Sequence, residues 1–256
     1  MTLQVLVGAI LIGVGVGFLS GAFGKGGSAI ATPLLHLLGV PAIVAIASPL
    51  PATIPATLLA GRRYARAGQV DRDVLRLGLF WGLPLTALGA FLTRWIGGEP
   101  LVLATDVIIL GLGLRVLLGG HAPADSEPDG SAAVAVAVSR RRVVLVVSCA
   151  AVVSGLLGNS GGFLLAPLFM SVLHMPVRRA FGTSLALAAA LAVPGTIVHA
   201  WLGHIDWSLT LVFGLASVPF ATLGAAAALH VRERSLTLAY GVGISVLAGG
   251  LLVAAH

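Results

Sequence analysis

Charged residues are scarce in this chain of 256 residues: they make up 9% of it, whereas hydrophobic residues make up 58%. A soluble domain needs a charged and polar surface, so this composition excludes the soluble classes. Cysteine is almost absent as well, and the single cysteine lies inside an apolar run. This placement excludes a disulfide framework and a thiolate metal site. The sequence predicts no metal site and no cofactor.

Long apolar stretches dominate what is present. They reach about 20 residues, the length with which a helix crosses about 30 Å of hydrocarbon. Because lipid satisfies no backbone hydrogen bonds, only helices or a closed barrel can cross it. The stretches lack the alternation typical of barrel strands, so we predict an all-α integral membrane protein surrounded by membrane lipid. The net charge of +6 comes from arginines in short loops, which does not indicate nucleic-acid binding.

Each half of the chain contains five apolar segments. They span 3–23, 27–39, 41–61, 74–96 and 100–119 in the first half, and 142–158, 161–174, 180–202, 207–229 and 235–255 in the second. A polar stretch with prolines separates the halves. We therefore predict a first transmembrane repeat over 1–119, a cytoplasmic linker over 120–141 and a second transmembrane repeat over 142–256.

One glycine-rich pattern interrupts an apolar run in both halves. The first copy, SGAFGKGGS over 20–28, is followed by Pro33, and the second, SGLLGNSGG over 154–162, is followed by Pro167. We call them the first and the second glycine segment. Further along, the tetrapeptide GQVD that ends at Asp71 matches GHID in the second half. Apolar halves broken at the same place are typical of secondary transporters, with the substrate site at the breaks.

Arginines occupy different loops in the two halves. The loop near 62–76 holds five arginines, whereas its counterpart near 203–206 holds none. Conversely, Arg178 and Arg179 precede the third segment of the second half, and the matching stretch of the first half is uncharged. Because cytoplasmic loops carry the excess of arginine, we predict two inverted-topology repeats, with short broken helices or re-entrant hairpins at the glycine segments. The predicted location is the bacterial inner membrane.

The glycine segments are the predicted substrate site. Lys25 lies deep in apolar sequence, where a charge is costly unless it faces a protected cavity. The glycines expose N–H groups at the start of the short helix that follows, and a helix N-terminus favours an anion. The predicted binding residues are Gly24, Lys25, Gly26, Gly27, Ser28, Asn159, Ser160, Gly161 and Gly162. Alternatively, Lys25 reaches to the membrane interface and the glycines only allow close helix packing.

Small hydroxyl residues follow in the third segment of each half. Ser48, Thr183 and Ser184 are predicted to line the same cavity, although such hydroxyls often only bond back onto their own helix. The prolines beside Ser48 are expected to kink or unwind its helix. Asp71 and Asp206 precede long helices at equivalent positions and are predicted to be N-caps.

Three further polar residues in the apolar segments are candidates for a proton relay. They are His36, Asp106 and His199. An exporter needs a driving force, which a proton or cation gradient would supply, and histidine titrates near neutrality. A structural role at the membrane interface is the alternative for each. The spacing Gly13-xxx-Gly17-xxx-Gly21 predicts a helix-packing face without chemistry.

Two other classes of function remain as alternatives. Residues 158–161 fit the Gly-x-Ser-Gly motif of rhomboid intramembrane proteases, with His199 as a base. The first glycine segment has Gly26 where the second has Ser160, so a duplicated binding frame explains both copies and a protease explains one. We therefore predict no enzyme and no catalytic residue. A passive anion channel is the other alternative, since paired half-helices also form filters.

The two glycine segments with their following prolines, and the later Gly-x-[Val/Ile]-Asp elements, resemble the sulfite exporter TauE/SafE family of membrane permeases. The resemblance covers nearly the whole chain, including its duplicated organisation. It implies export or uptake of small sulfur-containing anions, such as sulfite, sulfoacetate or related organosulfonates, across a bacterial inner membrane. The expectation is a secondary transporter that works by alternating access.

Overall fold

The computed structural model describes residues 2–24, 28–117 and 139–232, and the isolated positions 235, 236, 239 and 242. Over these residues the protein is all-helical. The helices are α1 (Leu3–Phe23), α2 (Ser28–Leu37), α3 (Ala42–Ala47), α4 (Pro49–Arg66), α5 (Arg72–Ile96), α6 (Gly98–Leu117), α7 (Arg140–Leu156), α8 (Gly162–Ser171), α9 (Val177–Trp201) and α10 (Trp207–His230). The predicted linker and the predicted segment 235–255 lie for the most part outside the described residues.

Five helical stretches of the described part are long and apolar enough to cross a membrane. They are Leu3–Phe23, Ala42–Arg66, Arg72–Ile96, Val177–Trp201 and Trp207–His230. The second joins α3 and α4 across a break at Ser48, directly before Pro49, as the prolines predict. The helices that follow the glycine segments, α2 and α8, have ten residues each and are too short to cross. The predicted all-α membrane fold is confirmed.

Two aspartates set the starts of the long helices that follow the matched tetrapeptides. Asp71 Oδ1 accepts hydrogen bonds from the N–H groups of Asp73 and Val74, both at 3.1 Å. Asp206 Oδ1 accepts from the N–H of Leu209, also at 3.1 Å. The carboxylates thus satisfy N–H groups that have no partner inside the helix. Their predicted role as N-caps is confirmed.

Helix pairs form between the halves. α1 packs along α10, and α7 packs along α5. The glycine face predicted on α1 makes the first of these contacts, because Gly17 and Gly21 face the backbone of Ser217 and Ala221 on α10. Gly155 of α7 faces the backbone of α5 in the same manner. Small residues let the two backbones of each pair approach closely. The predicted packing role of this face is confirmed.

Replacing Gly21 by Ala is expected to lower the free energy of unfolding in detergent by about 1–3 kcal/mol, because the added Cβ collides with the carbonyl of Ala221. Gly15→Ala is the matched control in the same helix. A Cβ at Gly15 meets no described atom within 4 Å, so this change is expected to be neutral or to stabilise by about 0.5–1 kcal/mol. Thermal unfolding measures both, and equal midpoints would contradict the packing of α1 on α10.

α4 and α9 run antiparallel against each other. Gly61 of α4 lies against Leu185 of α9, and Gly195 of α9 lies against Leu50 of α4. α4 also packs on α10, and α9 on α5, so this pair connects the helix pairs described above. Gly61 lies 13 residues after Ser48, which corresponds to about 20 Å of helix. Since Leu185 is level with Gly61, about 20 Å also separates Leu185 from Ser48 along the helix pair.

Arginines collect at one end of the bundle. Arg179 forms an ion pair with Asp71 at 3.2 Å, and Arg178 donates a hydrogen bond to the carbonyl of Val231. Asp71 follows the arginine-rich end of α4, so Arg62 and Arg178 lie at the same end, as the arginine pattern predicts. We call this end of the bundle the arginine end. The other end, where α5 stops and α10 begins, is called the opposite end. The inverted-repeat organisation itself stays a prediction.

Candidate functional site

The first glycine segment leaves α1 at Gly24 and packs on the second half. Gly24 has a φ of 66°, a backbone conformation that favours glycine. A side chain there would collide with Phe181 and Ser184 of α9, and Ser184 Oγ donates to the Gly24 carbonyl at 2.7 Å. Lys25, Gly26 and Gly27 lie outside the described residues, and the side chain of Ser28 is not described either. Their role in binding stays a prediction.

The second glycine segment packs on the first half. A Cβ at Gly158 would collide with Ile46 of α3. Around it, Leu157 and Phe163 form an apolar cluster with Ile46 and with Leu101 of α6. Each glycine segment is therefore held by the third apolar segment of the other half, and any site at the glycine segments depends on both halves.

Asn159 supplies a buried hydrogen-bond donor at the second glycine segment. Its side chain is 1% exposed, and its Oδ1 accepts from the N–H of Gly161 at 2.8 Å. This bond orients the amide beside the start of α8. The amide nitrogen, Nδ2, has no hydrogen-bond partner among the described residues. Buried amide donors are nearly always paired, so Nδ2 indicates a position where a ligand with acceptor oxygens can bind.

The start of α8 adds positive potential beside Asn159. Gly161 is the N-cap and Gly162 the first residue of α8, while Ser160 is fully buried next to them. The first N–H groups of a helix have no acceptor within the helix, and together they act as about half a positive charge. An amide donor and a helix N-terminus at the same place favour a small anion.

Ser48 and Thr183, at equivalent positions of the two halves, make equivalent hydrogen bonds. Ser48 Oγ accepts from the N–H of Asp206 at 3.0 Å, and Thr183 Oγ1 accepts from the N–H of Asp71 at 2.9 Å. Each bond joins one half to the other, the first at the opposite end and the second at the arginine end. The structure therefore does not bring Ser48 and Thr183 together. A substrate-binding role for these hydroxyls, and for Ser184, stays a prediction.

The three candidates for a proton relay fall into two groups. His36 Nε2 lies 3.5 Å from Glu99 Oε2, and Asp106 is within electrostatic reach of His36. These three residues link α2 to α6. His199 instead contacts His204 in the loop before α10. Sequence reasoning missed both Glu99 and His204, although His204 stands in the matched tetrapeptide GHID.

Known proteins resemble this chain over nearly its whole length. A family model described as Sulfite exporter TauE/SafE matches residues 9–251. A "Probable membrane transporter protein" of Xylella fastidiosa (strain 9a5c) is 28% identical over 262 residues, which cover 99% of this chain and 96% of that protein. The "Probable membrane transporter protein YjnA" of Bacillus subtilis (strain 168) is 22% identical over 224 residues, 85% of this chain and 88% of that protein. No solved structure matches significantly.

Proposed function

Since the chain belongs to the sulfite exporter TauE/SafE family and is a multi-pass membrane transporter of the bacterial inner membrane, we propose that it is a secondary carrier for a small sulfur-containing anion. Sulfite, sulfoacetate and related organosulfonates are the candidate substrates. The observation that carries the proposal is the buried Nδ2 of Asn159 beside the N-terminus of α8, which finds no hydrogen-bond partner in the described part of the chain. A hydrolase that uses Ser160 would explain only the second glycine segment, because the first has Gly26 at the matching position, whereas a binding frame explains both.

The positive potential at the two glycine segments favours an anionic substrate. Neutral donors and a helix N-terminus bind the oxygens of a sulfite or sulfonate group, and Lys25 supplies a full positive charge in the first glycine segment. A divalent or monovalent oxyanion is strongly hydrated, so it leaves water only where several donors replace its hydration shell. We propose that the two glycine segments provide these donors together.

Alternating access would use the equivalent hydrogen bonds at the two ends. We propose that the link between Thr183 and Asp71, reinforced by the ion pair of Asp71 with Arg179, opens toward the cytoplasm. The link between Ser48 and Asp206 would open toward the other side. Both links are formed in this structure, at 2.9 Å and 3.0 Å. Their equivalence supports two inverted repeats that rock against each other about the α4–α9 pair.

The test is uptake into proteoliposomes that contain the purified protein. Sulfite, thiosulfate, sulfoacetate, sulfate and taurine are offered under the same ion gradients. We expect saturable uptake of at least one sulfur oxyanion, because a carrier binds one substrate in each transport cycle, and a weaker response to taurine, which also carries a cationic amine. Empty liposomes are the control. Currents that rise linearly with driving force and never saturate would indicate a channel and contradict the carrier.

A further inference from the structure

Two histidines lie in contact at the opposite end of the bundle, outside both glycine segments. His199, in the last turn of α9, is fully buried, and its Nδ1 lies 3.1 Å from Nδ1 of His204. At this distance one hydrogen lies between the two nitrogens, because two bare nitrogens or two N–H groups would repel each other. His204 is half-buried, so the pair extends from the surface of the bundle into its interior.

The first half has other residues at the equivalent positions. The matched tetrapeptides align Gln69 with His204, and the same alignment places Tyr64 opposite His199. Tyr64 is fully buried and donates its hydroxyl hydrogen to the carbonyl of Ala22 at 3.0 Å. The duplicated frame thus accepts Tyr and Gln at these two positions, and packing alone does not require a histidine pair.

Buried polar atoms continue inward from the pair. Oγ1 of Thr196 and Oγ1 of Thr86 are buried without a hydrogen-bond partner among the described residues, and Nε2 of His199 is buried within reach of the backbone of Gly155. Thr196 precedes His199 by one turn of α9, and Thr86 of α5 lies beside Gly195. Buried polar groups are nearly always paired. The two hydroxyls beside His199 therefore mark a polar route along which a proton can be accepted and passed.

The charged groups at this end have partners of their own. The carboxylate of Asp206 caps α10, and the guanidinium of Arg94 lies over the rings of Phe91 and Trp95. Glu99, at the start of α6, lies 3.5 Å from His36. The described parts of α3, α4, α7 and α8 carry no titratable side chain at this end. Burial lowers the pKa of His204 below its ordinary value. His204 is therefore mainly uncharged at neutral pH and takes up a proton on the acidic side.

We propose that His199 and His204 form a proton-binding site through which a proton gradient drives anion transport, an inference that rests on the proposed function. In the neutral pair each ring carries one hydrogen, and one of them lies between the Nδ1 atoms. A proton from solution binds Nε2 of His204, and the Nδ1 hydrogen of His204 moves to Nδ1 of His199. His199 then releases its Nε2 hydrogen toward the interior, so the pair again holds two hydrogens.

The test compares wild type with the double variant His199→Tyr/His204→Gln, which carries the residues of the first half. Both are reconstituted with pyranine inside the liposomes, and uptake of sulfite and sulfoacetate is measured with and without a pH gradient at zero membrane potential. Sulfoacetate keeps its charge near neutral pH, so its response reports proton coupling alone. A gradient of about one pH unit is expected to change the wild-type accumulation ratio about tenfold per coupled proton.

The double variant is expected to exchange the anion at equal pH and to lose the tenfold response and the pyranine signal. His174→Gln and His230→Gln, which change exposed histidines of the arginine end, are the controls and should respond as wild type does. A gradient response that persists in the double variant overturns the inference and leaves the proposed function standing. Failure of wild type to transport any of the anions overturns the proposed function.

A measurement on wild type covers the case that the double variant does not fold. The nitrogen NMR spectrum of the histidines is recorded in detergent over a pH series. A hydrogen shared between the Nδ1 atoms of His199 and His204, with linked titration of the two rings, supports the proton-binding site. Two rings that titrate independently contradict it.

Discussion

The change Asn159→Asp is expected to weaken anion binding by about tenfold to hundredfold without unfolding the protein. The carboxylate keeps the acceptor that holds the N–H of Gly161 at 2.8 Å, and the shape of the side chain is unchanged. It replaces the donor Nδ2 by a second acceptor. Losing a hydrogen bond to a charged partner costs about 1.5–3 kcal/mol, and the new negative charge repels the anion further. Binding of sulfite and sulfoacetate to purified protein measures the effect.

Gln69→Glu is the matched control for this charge change. It makes the same amide-to-carboxylate replacement in the loop at the arginine end, where Gln69 precedes the cap of α5 by two residues. We expect wild-type affinity in this variant. Equal affinity of Asn159→Asp and wild type would show that the anion does not bind at the start of α8, and the site would then have to be sought elsewhere.

Removing the charge of Lys25 is expected to weaken binding by at least a hundredfold. Lys25 is the one lysine of the sequence and the one full positive charge within the two glycine segments. A unit charge about 4 Å from an anion contributes about 4 kcal/mol at an effective dielectric constant of about 20, of which desolvation offsets a part. Lys25→Met keeps most of the side-chain volume. Lys25→Arg is expected to be intermediate, because its planar fork binds oxyanions but needs more room.

The outcome at Lys25 distinguishes binding from interfacial placement. If the ammonium merely reaches to the membrane surface, Lys25→Met leaves affinity unchanged and stabilises the protein in lipid. Arg94→Gln is the control, since it removes a positive charge at the end of α5, outside the glycine segments. Uptake and thermal stability are compared at matched expression. A normal affinity in Lys25→Met, with normal stability, would place the anion away from the first glycine segment.

Local signals in the sequence predicted most of the helices. α1 and α5 end where the apolar runs end, and α10 begins at its aspartate cap. The apolar run over 41–61 predicts one unbroken segment, whereas the structure divides it at Ser48 and continues the helix to Arg66. The prolines that cause this break are visible in the sequence. The sequence pattern does not predict the extension to Arg66. Arg62, Arg63 and Arg66 are charged, so they end the apolar run although they continue the helix.

The contacts between the halves could not be predicted in the same way. Nothing in the sequence pairs Ser48 with Asp206 or Thr183 with Asp71, because these partners are more than a hundred residues apart and meet only when α4 and α9 cross. The sequence pattern did not indicate His204 as a candidate for the proton relay, because this residue lies in a loop and not in an apolar segment.

The sequence by itself determined that this chain is a helical membrane protein, because the cost of burying charge and unpaired backbone in lipid leaves few other folds for its composition and apolar run lengths. The glycine breaks and the arginine placement predicted a transporter with two repeats. Only the tertiary structure decided which groups meet. It brought Gly24 to Ser184 and Gly158 to Ile46, and it left Nδ2 of Asn159 without a described partner. The physical reason is that side-chain pairing depends on how helices cross, and the periodicity of one helix carries no information about its neighbour.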